Sequence, residues 1–95
     1  MKISLPLTGR QATLNHKSTI SRIVIQLLDN PDHDLTNEKE HDLARVSREM
    51  NAFLHDVWIQ IGDTEFNRSG LRNATDKLID FLRIYEYNST KALTN

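Results

Sequence analysis

Apolar residues recur at steps of three and four through the centre of the chain, at Leu43, Val46, Met50, Phe53, Leu54, Val57 and Ile61. This spacing places them on one side of an α-helix, and a helix with one apolar side must bury that side against other elements. The pattern predicts a long central helix. We expect Thr36 or Asn37 to cap its start and Gly62 to end it.

Two further stretches show the same spacing. One follows a cap at Ser18 or Thr19, ends at Asn30 and Pro31, and has apolar residues at Ile20, Ile23, Val24, Leu27 and Leu28. The other begins at Ser69 or Gly70, and its apolar residues are Leu71, Ala74, Leu78, Phe81, Leu82 and Tyr85. Three amphipathic helices predict an all-α fold, a small three-helix bundle with a short extended N-terminal arm.

The helical period is absent from both ends of the chain. Residues 3–7 alternate as in a strand, although Pro6 cannot donate a ladder hydrogen bond, and residues 8–17 are polar. We therefore expect an extended arm over residues 1–17, a helical domain over 18–87 and a frayed tail over 88–95. In the connection between the second and third helices, Phe66 is the one side chain expected to be buried.

Composition limits the class of protein. A chain of 95 residues can form one domain with a single core. It has no cysteine, which excludes disulfides and thiolate chemistry and favours an intracellular protein. Because no apolar run has the length of a membrane span, we expect a soluble, cytoplasmic protein.

The net charge of −1 results from an uneven distribution of charged residues over the first 42 residues of the chain. Residues 1–28 carry +4, from Lys2, Arg10, Lys17 and Arg22, whereas residues 29–42 carry −5. Under one interpretation the basic arm and the acidic segment attract each other within the chain. Under the other, these four cations contact an acidic partner or a nucleic acid.

The chain offers little catalytic or metal-binding chemistry. No serine lies in a nucleophile elbow, and no glycine-rich loop precedes a helix. Glu38 and His41 have the Glu-x-x-His spacing of di-iron bundles, but such a site needs a second copy of the motif and two more inward glutamates. The sequence therefore predicts a non-enzymatic protein without a metal site or cofactor.

Some apolar residues do not fit the three stripes. Ile25, Ile59 and Ile84 each lie about 140° to 160° from the apolar side of their helix, and Trp58 lies at the edge of its stripe. Tryptophan is enriched at binding hot spots, and His55 also lies off the stripe. One interpretation is that the bundle buries more than one stripe and leaves single apolar residues exposed, as is normal. The other is a partner-binding surface formed by Ile25, His55, Trp58, Ile59 and Ile84.

The sequence thus favours a small protein-binding module, an adaptor, regulator or inhibitor of a larger protein, which also associates with itself. Accessory proteins of mobile elements include modules of this kind. The alternative is a DNA-binding transcriptional regulator that uses the basic arm. In this alternative, residues 2–7 and 17–22 resemble loosely the strand and helix start of a ribbon-helix-helix regulator, although Pro6 interrupts the strand and residues 8–17 leave little room for a helix.

Overall fold

The computed structural model describes residues 6–94, with side chains described up to residue 86. Five α-helices follow one another, with one short 3-10 helix at Leu35–Asn37. They are α1 (Gly9–His16), α2 (Thr19–Asp29), α3 (Glu40–Gln60), α4 (Glu65–Arg68) and α5 (Leu71–Thr94). The all-α prediction is confirmed, and the three predicted helices correspond to α2, α3 and α5. Over the described residues, no helix is both long and apolar enough to cross a membrane.

One hydrophobic core holds the helices together. The helices α1, α2 and α3 all contact one another, and α5 packs against α2. The three predicted stripes supply nearly all of the buried apolar side chains, with Phe53, Ile20 and Leu78 among the largest that are fully buried. Met50 and Leu54 are only half-buried, at the edge of the core. The stripes therefore predicted the core, but not its outer limit.

Residues 9–16 form a helix, so the prediction of an extended arm over residues 1–17 is wrong there. The Thr8 hydroxyl accepts from the Gln11 backbone N–H, and the Gln11 side chain accepts from the Thr8 N–H, which together make a capping box. Ala12 and Thr13 are fully buried against the core. The helix α1 is thus an integral part of the bundle.

The chain before α1 is also tied to the bundle. The Leu7 N–H donates to the Gln60 carbonyl at 3.0 Å, and the Gly62 N–H donates to the Leu7 carbonyl at 3.2 Å. These bonds form a parallel bridge between Leu7 and Ile61, and the Leu7 side chain packs against the core. The end of α3 and the start of the described chain therefore stabilise each other.

The helix boundaries differ from the prediction at two places. Ser18 caps α2 as expected, but Thr36 and Asn37 lie in the 3-10 helix, so α3 begins at Glu40 with no side-chain cap. Helix α5 starts after Gly70, whose positive φ of 79° suits glycine, and it continues to Thr94. The predicted tail over residues 88–95 is therefore helical in its described part.

Candidate functional site

The five predicted partner-binding residues lie in three regions of the bundle. His55, Trp58 and Ile59 are on the last turns of α3, Ile25 lies on α2, and Ile84 lies on α5. Ile25 and Ile84 line two different grooves, and neither groove is lined by His55, Trp58 or Ile59. In each region, other apolar and charged side chains lie beside the predicted residues.

The first surface, termed here the α3–α4 end, comprises the last turns of α3 and the short helix α4. Ile59 is 68% exposed and Phe66 is 79% exposed, the largest exposure among the described large apolar residues. Trp58 is half-buried against the core, with the Arg68 guanidinium 5.7 Å from its ring centroid. The prediction that Phe66 is buried is wrong, and Trp58 is less available than expected.

The charge at the α3–α4 end is predominantly acidic. Asp56, Asp63 and Glu65 are exposed there, and Arg68 is the cation beside them. Arg68 donates to Asp63 at 2.6 Å, which neutralises one acid locally. His55 is exposed next to Asp56, with 3.7 Å between its Nδ1 and a carboxylate oxygen. This end therefore combines exposed apolar side chains with residual negative charge.

The second surface is an open groove of about 360 Å³ between α1 and α2, termed the α1–α2 groove. Its apolar residues are Leu14, which is 51% exposed, and Ile25, which is half-buried. Lys17 and Arg22 add two of the four predicted cations to its lining. The structure thus joins one predicted partner-binding residue with two residues predicted to contact an acidic partner.

The third surface is an open groove of about 580 Å³, termed the α3–α5 groove. Leu43 and Phe81 line its apolar part together with Ile84, which is 62% exposed. Glu38 and Glu40 line its acidic part. Here too apolar and charged side chains are combined, with a charge of opposite sign to that of the α1–α2 groove.

A cluster of charged side chains lies between the two grooves. Arg22 donates to Glu38 at 2.8 Å and to Asp42 at 3.4 Å, and His33 lies 3.3 Å from Glu38. Burial opposes the charged form of Glu38, but the hydrogen bonds from Arg22 and His33 outweigh it and lower the pKa of its carboxyl. The Glu38 hydrogen bond raises the pKa of Arg22. Arg22 is thus held by acids of its own chain.

The other predicted cations differ in their surroundings. Arg10 is paired with Asp29 at the end of α2. Lys17 is exposed at the C-terminus of α1, where its backbone adopts a left-handed conformation with φ of 49°. Lys2 lies outside the described residues. Two of the four cations therefore contact the acidic segment within the chain, as the first charge interpretation expected.

Ser18, His16 and Asp56 lie in a row and have the residue types of a hydrolase triad. His16 Nδ1 lies 2.7 Å from the Ser18 hydroxyl, and its Nε2 lies 3.4 Å from an Asp56 oxygen. The same hydroxyl caps α2 by accepting from the Ser21 N–H, and the His16 ring packs edge-on against Phe53. Ser18 and His16 therefore both have structural contacts, the first as the cap of α2 and the second against Phe53.

The Glu-x-x-His pair is not on one helix, because Glu38 precedes α3 and contacts Arg22, whereas His41 lies in its first turn. Among the described residues, no group of three His, Cys, Asp or Glu side chains could hold a metal ion. No protein-family model matches the chain, and no match was found among curated proteins or solved structures.

Proposed function

We propose that this protein is a non-enzymatic protein-binding module that contacts a larger protein through the α3–α4 end. The observation that carries the proposal is the exposure of Phe66 and Ile59 at one end of the bundle. Single exposed apolar residues are common, but a phenylalanine side chain that is largely exposed to water has a higher free energy than a buried one. A partner that covers Phe66 would recover that free energy.

The charges around Phe66 indicate the chemistry of the partner. Asp56 and Glu65 leave this end acidic after Asp63 is paired with Arg68. A complementary surface would present an apolar pocket surrounded by lysine or arginine side chains, since opposite potentials favour encounter and fix orientation. By occupying such a pocket, the module would act as an adaptor, a regulator or an inhibitor.

The test is capture with the immobilised protein from a lysate of its source, followed by titration of the purified captured protein. The variant Ile59→Ser/Phe66→Ser should bind roughly 30-fold more weakly, which corresponds to about 2 kcal/mol at a hot spot. Arg72→Ser/Asp76→Ser is the control, because it also shortens two exposed side chains without changing the net charge, and neither residue lies at the α3–α4 end or lines a groove. Equal affinity of the double variant and the wild type, or no captured protein, would contradict the proposal.

The DNA-binding alternative has one observation in its favour and two against it. Helix α1 provides the helix that a ribbon-helix-helix arrangement needs, although little room for a helix was expected between residues 8 and 17. However, Arg10 and Arg22 are paired with acids of the chain, and Leu7 pairs with Ile61 of the same chain. Titration with duplex DNA at two salt concentrations separates the alternatives, because phosphate contacts weaken steeply as salt rises.

A further inference from the structure

The α1–α2 groove and the α3–α5 groove meet at one ion pair. Arg22 lines the first groove, Glu38 lines the second, and their side chains are joined by a hydrogen bond of 2.8 Å. The two grooves are therefore neighbouring halves of one surface. No residue of the α3–α4 end lines either groove.

The two halves have complementary charge. Lys17 lies on the α1–α2 side and Glu40 on the α3–α5 side, and both side chains are exposed. Among the described residues, neither Lys17 nor Glu40 takes part in an ion pair, whereas Arg22 and Glu38 are paired with each other. Each half therefore has one charge without a partner of opposite sign.

Both halves also expose apolar side chains beside these charges. Leu14 and Ile25 lie on the basic side, and Ile84 lies with Phe81 on the acidic side. A two-fold axis exchanges the two halves of a surface, so a symmetric interface requires each half to complement the other. A surface with a basic apolar half and an acidic apolar half meets that requirement.

From this complementarity we propose that two copies of this chain associate about a two-fold axis close to the Arg22–Glu38 pair. Lys17 of each copy then faces Glu40 of the second copy, and the Leu14 side of one groove covers the Ile84 side of the other. The dimer would form through the two grooves, whereas the larger protein is proposed to bind at the α3–α4 end.

The backbone at Lys17 is consistent with a role for this side chain in binding. A residue with positive φ at the end of a helix is usually glycine, because a Cβ atom is strained there. Lys17 adopts φ of 49° despite this cost. Such strain at a non-glycine residue is often found at functional positions. We therefore expect Lys17→Gly to fold at least as stably as the wild type and to dimerise more weakly.

The test measures the solution mass by light scattering over a range of concentrations up to about 1 mM. The wild type should form a dimer. Lys17→Glu and Glu40→Lys should each weaken dimerisation roughly tenfold, because two-fold symmetry changes the same pair twice. The double variant Lys17→Glu/Glu40→Lys, and an equimolar mixture of the two single variants, should restore it. Arg72→Glu is the control, since Arg72 is exposed and lines neither groove.

A wild type that remains monomeric at about 1 mM would overturn the inference. So would single variants that dimerise like the wild type, or a double variant that does not recover. The double variant contains both substitutions, so its recovery cannot be attributed to better folding. Absence of the dimer can be told apart from absence of partner binding. Lys17→Glu leaves the α3–α4 end unchanged, and Ile59→Ser/Phe66→Ser leaves both grooves unchanged.

Discussion

Arg22 donates a hydrogen bond of 2.8 Å to Glu38 and thereby joins α2 to the segment that precedes α3. The Glu38 side chain is only 8% exposed, whereas that of Arg22 is 46% exposed. A carboxylate so well covered needs hydrogen bonds to remain charged, and Arg22 and His33 supply them. The pair therefore has a structural role that is separate from any contact with a partner.

We predict that Glu38→Gln lowers the free energy of unfolding by about 1 kcal/mol at neutral pH, because the amide cannot replace the charged hydrogen bonds. The pKa of Glu38 is lower in the folded state than its ordinary value of 4.5. Its contribution is therefore complete above pH 4.5 and is lost as the pH falls through the folded-state pKa.

Denaturant unfolding of wild type and Glu38→Gln at a series of pH values measures this difference. The two free energies should converge on acidification below pH 4.5. Asp76→Asn, an exposed acid on α5, reports the general effect of losing one negative charge. A difference between wild type and Glu38→Gln that persists unchanged in acid would show that the charge of Glu38 does not stabilise the fold.

Gly9 is expected to be intolerant of substitution although it lies in a helix. Alanine favours a helix over glycine by roughly 1 kcal/mol, so propensity alone predicts that Gly9→Ala is stabilising. A Cβ atom at this position would lie 2.9 Å from the Leu71 Cβ, however, and that contact forces α1 and α5 apart. We expect a net loss of about 1 to 3 kcal/mol.

Thermal denaturation of Gly9→Ala and Asn15→Ala separates the effect of helix propensity from the effect of the close contact with Leu71 within one helix. Asn15 is exposed on α1, so its replacement should be neutral or slightly stabilising. A Gly9→Ala variant with an unchanged or higher melting temperature would show that α1 does not pack closely on the start of α5.

On the apolar side of α3, substitution by aspartate should destabilise the fold more at a buried position than at a half-buried one. Val57 is 1% exposed, so Val57→Asp places an unpaired carboxylate in the core and should unfold the domain. Met50 is half-buried at the edge of the core, where its replacement by Asp can still be hydrated. We expect Met50→Asp to fold with reduced stability. Circular dichroism melts of both variants check this order, and a cooperative melt of Val57→Asp would refute it.

The sequence predicted α2, α3 and α5 because each has a long apolar stripe, but it did not predict α1. Helix α1 buries only Gly9, Ala12 and Thr13, too few and too small to produce a visible period. The available signal was local, because Thr8 and Gln11 have the spacing of a capping box. Short helices held by tertiary contacts are poorly marked by periodicity.

The candidate site was only partly predictable for a similar reason. The isoleucines opposite the stripes are indeed outside the core or at its edge, since Ile59 and Ile84 are exposed and Ile25 is half-buried. The exposures of Phe66 and Trp58 depend on how α4 folds back, with Arg68 placed over the tryptophan ring. That arrangement depends on tertiary contacts, for which a single sequence contains no periodic signal.

Hydrogen exchange of the protein alone and in complex with its captured partner tests the protein-binding claim most directly. We expect slower exchange at the backbone amides of α4 and of the last turn of α3, around Phe66 and Ile59, when the partner is bound. We expect α1 and the start of α2 to exchange as they do in the free protein. Protection confined to α1 and α2, with no change at α4, would contradict the claim that the α3–α4 end is the binding surface.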